Sequence, residues 1–121
     1  MSIFLTIPEE QKILCGEYFF VIKDRFPVSE GHCLIISKAL KSDYFELSEE
    51  EKQELTRLIV ATKDYIEQEY TPNGYNIGMN CGEAAGQTVM HFHCHLIPRY
   101  KGDMEDARGG IRHCVAGKGY Y

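Results

Sequence analysis

Three of the five histidines in this 121-residue chain stand at alternate positions, in His91-Phe92-His93-Cys94-His95-Leu96-Ile97. Strand side chains alternate between faces, so an extended backbone aims all three imidazoles one way and Phe92, Cys94 and Leu96 the other. On a helix the rings would spread around the axis and the apolar set would lose its common face. The spacing predicts a strand from Val89 to Ile97, stopped by Pro98. A histidine ladder kept only for packing is costly, because every buried ring needs hydrogen-bond partners. Alternating histidines can also converge on zinc. Against that, no thiol pair or acidic ligand lies nearby in sequence, and only His32 and His113 are spare imidazoles. The third chemistry is attack on phosphorus: a neutral imidazole, with a reference pKa of about 6.5, is a nucleophile near neutral pH.

A phosphoryl centre under attack needs donors on its oxygens. The stretch before the histidines supplies them. Cys81-Gly82-Glu83-Ala84-Ala85-Gly86-Gln87-Thr88 is a small-residue loop in which Gly82 and Gly86 let backbone N–H groups turn inward. Asn80, Gln87 and Thr88 add side-chain donors. Such a loop feeding a face of three histidines is a coherent phosphate site.

Other elements must hold that strand. Ile13-Leu14-Cys15 and Tyr18–Ile22 read as a hairpin across Gly16-Glu17, and His32–Ile36 as a buried strand after a connector punctuated by Pro27 and Gly31. Ser48 with Glu51 makes a capping box. Leu55, Leu58, Ile59, Thr62 and Ile66 follow at helical steps, predicting an amphipathic helix closed by Thr71-Pro72-Asn73-Gly74. Tyr75–Asn80 reads as a further strand. The expected fold is α+β: an antiparallel sheet crossed by one main helix, with residues 1–121 as a single domain and a less regular tail over 103–121.

Composition narrows the function classes. At 44% hydrophobic and 26% charged residues the chain reads as an ordinary globular protein. Its net charge of −5 is concentrated between Asp43 and Tyr70, where nine acids meet three bases on the outer face of the expected helix. No basic stripe suits a nucleic acid, and no apolar run approaches the roughly 18 residues of a membrane span. The opening Met1–Glu10 lacks the pattern of a secretory signal, so a cytoplasmic location is expected. The five cysteines, Cys15, Cys33, Cys81, Cys94 and Cys114, contain no C-x-x-C pair and read as free thiols. Cys94, opposite the histidines, is expected to pack.

The segment His91–Ile97 resembles the histidine triad signature, H-φ-H-φ-H-φ-φ with φ apolar, at every position. Gly86-Gln87-Thr88-Val89-Met90 resembles that family's G-Q-[ST]-V-x segment. Gly31-His32-Cys33-Leu34-Ile35-Ile36 resembles its G-H-φ-φ-φ-φ strand, with Asp24 eight residues before the histidine. The resemblance covers roughly residues 12 to 102. It implies a nucleotide-binding homodimer with the sheets joined across the interface, acting through a covalent nucleotidyl-histidine. Carried onto this chain, it makes His93 the nucleophile toward the α-phosphorus. His91 would orient it, partly through its backbone carbonyl. His95 would contact the phosphate or leaving group, and His32 would support the triad. Asn80, Gln87, Thr88 and the Val89 amide would bind phosphate oxygens, and Asp24 the ribose hydroxyls. Ile22 and Leu34 would flank the base, unless they are plain core.

His95 stands where the uridylyltransferase-like branch carries glutamine, which favours the hydrolases. His95–Asp103 is more similar to the fragile-histidine-triad type, which cleaves dinucleoside polyphosphates, than to the purine nucleoside phosphoramidases. A nucleotide-binding regulatory module with little turnover is the alternative from another class. The paired N-terminal cysteines that bind zinc in some relatives are absent, so no metal is carried over. No cofactor is required, although a divalent cation could accompany an adenine or other purine nucleotide substrate. Arg108 and Arg112, in Arg108-Gly109-Gly110-Ile111-Arg112, read either as a solvated loop or as contacts to distal phosphates.

Overall fold

The computed structural model describes residues 2–121; Met1, which opens the segment weighed as a secretory signal, lies outside the described residues. Its framework is one antiparallel sheet of β1 (Lys12–Cys15), β2 (Phe19–Lys23), β3 (Cys33–Ser37), β4 (Gly74–Gly78) and β5 (His93–Arg99). The spatial order is β1-β2-β3-β5-β4, so the histidine strand lies inside the sheet. Helix α1 (Glu49–Ile66) crosses one face. No helix among the described residues is long and apolar enough to cross a membrane.

Alternation divides the strand residues into two apolar layers. Phe19, Val21, Cys33, Ile35, Cys94 and Leu96 join Phe92 and the α1 residues Leu55 and Ile66 in the main core. Phe20, Ile22, Leu34 and Ile36 form a second layer on the other face, covered by Phe4 and Ile7 from the N-terminal segment. The capping box starts α1 as read: Ser48 Oγ accepts from the Glu51 N–H, and Glu51 returns the bond to the Ser48 N–H. A second acid ties α1 to the hairpin. The Glu54 carboxylate accepts from the N–H groups of Glu17 and Tyr18 at 2.8 Å and of Phe19 at 3.0 Å. Gly16 leaves room for it: a Cβ there would fall 2.5 Å from Glu54 Oε2 and push the carboxylate aside.

Several boundaries differ from the sequence reading. The helix ends at Ile66, before Thr71, and β4 stops at Gly78, two residues short of Asn80. The strand expected over Val89–Ile97 begins instead at His93, because the preceding residues turn aside to bond the 37–41 loop: the Phe92 N–H donates to the Lys41 carbonyl at 2.6 Å. Pro98 does not stop it. β3 pairs only as far as Leu96, so the prolyl nitrogen costs no ladder bond there, and the Pro98 carbonyl accepts from Ser29 Oγ at 2.6 Å. The tail over 103–121 carries only a short 3-10 turn, Gly110–Cys114.

Candidate active site

Strand register builds the site as cross-strand rows. Ile22 pairs with Leu34 and Leu34 with His95; one rung along, Phe20 pairs with Ile36 and Ile36 with His93. Each row runs from an apolar platform to an imidazole on the face away from α1. The ring centroids of His93 and His95 are 5.4 Å apart. His91 precedes the strand, so only two of the three histidines share its pleat. Its ring is fully buried and Nε2 donates to the Ser37 carbonyl at 2.6 Å, while Nδ1 has no partner among the described residues. Burial holds His91 below the ordinary imidazole pKa, in its neutral form.

The neighbours set where each proton sits. His93 Nδ1 lies 2.9 Å from the His91 carbonyl, which can only accept. A proton therefore sits on Nδ1, so the tautomer of the neutral ring that this contact selects has its lone pair on Nε2. On the buried His32, Nδ1 accepts from the Val28 N–H at 3.2 Å, which places that proton on Nε2. This Nε2–H faces His95 Nδ1 at 3.0 Å and Asp24 Oδ2 at 3.3 Å. His95 in turn accepts at Nδ1 and keeps its own hydrogen on Nε2. Burial, reinforced by His32 and His93, pushes the His95 pKa down to about 4. Burial also lowers His32, with Asp24 pulling the other way. In their neutral forms His93 and His95 thus turn one lone-pair nitrogen and one N–H donor toward the open face.

Asp24, His32 and His95 also bring three ligand-capable atoms within 4.8 Å of one another. The hydrogen fixed on His32 Nε2 occupies their meeting point, so this group fits a shared proton and not a cation. Cys94, on the opposite face, is fully buried and its thiol is pushed up to about 12 by that burial, leaving it protonated.

The loop read as a phosphate site has the backbone that its glycines suggest. Gly82 and Gly86 do adopt φ of +98° and +94°, a region that favours glycine. Asn80 and Thr88 are exposed and Val89 is half-buried. Gln87, expected to donate to phosphate, is buried and braces the loop. Its Nε2 donates to the Ser42 and Val89 carbonyls at 2.5 and 3.1 Å, and its Oε1 accepts from the Gly82 N–H at 2.8 Å. Phe4 was not singled out from sequence. Its ring packs edge-on against His93 and His91, with centroids 5.1 and 5.5 Å away, and roofs the apolar platform. Only its apolar type, without a motif, marked it. On the far side, Ile111 of the tail approaches within 3.6 Å of where a Gly78 Cβ would lie, and Gly78 pairs with His95. Arg112 follows directly, exposed and stacked on Tyr121.

An antiparallel sheet whose inner strand carries the last two histidines of the H-φ-H-φ-H signature, with the first just before it and a helix behind, is the architecture of the histidine triad proteins. The chain belongs to the HIT family, whose HIT domain model matches residues 7–102. It is 36% identical over 93 residues to Protein hit of Bacillus subtilis, covering 76% of this chain and 64% of that protein. It is 32% identical over 100 residues to a bis(5'-adenosyl)-triphosphatase of Dictyostelium discoideum, covering 83% and 67%. A solved HIT family structure from Bacillus subtilis superposes with a TM-score of 0.76 at 32% identity, covering 84% of this chain and 75% of that one. The chain spans between 60% and 64% of the length of Protein hit and two HIT-like mycoplasma relatives.

Proposed function

We propose that the protein is a nucleotide hydrolase acting at the α-phosphorus of a purine nucleotide conjugate through a nucleotidyl-histidine. The observation that carries this reading is the 2.9 Å bond from His93 Nδ1 to the His91 carbonyl, which selects the tautomer of the neutral ring whose lone pair lies on Nε2, on the open face. In the first step that lone pair attacks phosphorus, a P–N bond forms, and the bond to the leaving group breaks with its electron pair. Water then attacks the same phosphorus and gives up a proton to solvent, the P–N bond breaks with its electron pair returning to His93 Nε2, and the nucleoside monophosphate departs. His95 Nε2–H donates to a phosphate oxygen throughout, joined by Asn80, Thr88 and the Val89 amide. Gln87 serves them by shaping the loop. The base lies over Ile22 and Leu34 under Phe4, with its ribose at Asp24. Two displacements at a positioned nucleophile replace one unassisted attack by water.

A dinucleoside polyphosphate is the preferred substrate. The similarity to the Dictyostelium bis(5'-adenosyl)-triphosphatase supports this, as does the segment from His95 to Asp103. A purine nucleoside phosphoramidate is the second reading. We also propose a homodimer. β1 is a bulged edge, its register breaking between Lys12 and Leu14, whereas β4 is a regular one and so the better edge for continuing the sheet into a second copy.

Brief incubation with diadenosine tetraphosphate, acid quenching and mass spectrometry tests the mechanism. The expected result is a protein heavier by one nucleotidyl group, absent in His93→Ala. Turnover without the adduct, and undiminished in that variant, refutes it.

A further inference from the structure

We propose that Asp24 does more than hold the sugar: through His32 it couples ribose binding to the phosphate-facing hydrogen of His95. This rests on the reading above that a nucleotide ribose lies at Asp24. One of its oxygens, Oδ1, is already bound by the Phe26 N–H at 2.9 Å. The other, Oδ2, stands 3.3 Å from His32 Nε2, and that same nitrogen stands 3.0 Å from His95 Nδ1. Because the Val28 N–H occupies Nδ1, His32 has one hydrogen to share between a carboxylate and an imidazole. The fork is half-enclosed: His32 is 3% exposed and the Asp24 side chain 15%.

A sugar hydroxyl arriving at Asp24 finds Oδ2 as the oxygen without a backbone partner. Its donated bond competes with the His32 N–H for that oxygen, and the His32 hydrogen turns fully onto His95 Nδ1. Linked hydrogen bonds polarise one another, most strongly where water is scarce. A firmer donor on Nδ1 makes the His95 Nε2–H a better donor to the phosphate oxygen. The hydroxyl is then felt in the chemical step as well as in binding, and His32 is a positioning residue that transmits it. Were Asp24 only a grip, losing the hydroxyl would weaken binding and leave turnover alone.

The test pairs a substrate change with a protein change. The full chain and His32→Gln each hydrolyse diadenosine tetraphosphate and its 2'-deoxy counterpart, and kcat and KM are separated. The expected result is that the 2'-deoxy change lowers wild-type kcat about tenfold, of the size typical for coupled sites. In His32→Gln the two substrates should give nearly equal kcat. A penalty confined to KM, or an equal kcat penalty in both proteins, overturns the coupling. Asp24→Asn repeats the comparison in case His32→Gln fails to fold. A nitrogen NMR spectrum of histidine-labelled wild type gives a readout independent of turnover. AMP is expected to shift the His95 Nδ1 signal and 2'-deoxy-AMP to leave it in place. Bound AMP with an unmoved signal overturns the coupling alone, whereas failure of any nucleotide to bind overturns the function as well.

Discussion

At the residue scale the site is a matter of which nitrogens carry hydrogen. Replacing His93 with alanine removes the lone pair, and turnover is expected to fall by about three orders of magnitude or more while AMP still binds in a titration. His95 gives a prediction in pH. Its pKa falls from about 6.5 unfolded to about 4 folded, so between those values the unfolded chain binds the extra proton. The stabilising share of a neutral His95 is therefore complete above about pH 6.5 and is lost as pH drops toward 4. Thermal unfolding from pH 8 to pH 4 should show a level region and then a decline, and His95→Gln should soften that decline. The three alternating histidines were legible because residue type and spacing name them, whereas His32 and Asp24 were reached only through the family resemblance. The tautomers were not legible, because they depend on the Val28 N–H and the His91 carbonyl, which any sequence would supply.

At the scale of elements, two acidic residues of α1 do work that periodicity assigns to the solvated face. Glu51 was read from the capping box, but Glu54 sits 8% exposed with its carboxylate spent on the hairpin turn. Glu54→Ala should cost about 2–4 kcal/mol, since it strands three backbone donors. Gly16→Ala should cost about 1–3 kcal/mol, because its new Cβ drives the same carboxylate off its partners. Urea titration of both variants checks these values. Hairpin, helix and inner strands were readable from local pattern, whereas the start of β5 was not. Its alternation continues through Val89–Phe92, yet the long-range bond from Phe92 to Lys41 pulls that segment out of the sheet.

At the scale of the whole molecule, the sheet ends on one broken and one regular edge, and the tail closes over the far end of the site. If β4 joins a second copy, sedimentation should report twice the 13.9 kDa chain mass, and Ile77→Lys on that edge should give the monomer. Arg112→Ala should slow diadenosine tetraphosphate hydrolysis about tenfold and leave an AMP-lysine phosphoramidate within twofold, since only the former carries distal charge for a guanidinium. Equal losses on both would remove Arg112 from that role. The tail lacked any periodic signal, and its placement became evident only from Ile111 beside Gly78. The rows from Ile22 to His95 and from Phe20 to His93 have a further consequence. Interstrand spacing is about 4.8 Å in every sheet, so if the proposed mechanism holds, the gap between the apolar row and the attacking imidazole is a ruler whose divisions mutation cannot stretch. Diversification toward other conjugates must then proceed through the movable borders, the roof at Phe4 and the wall at Ile111, with the ruler left untouched.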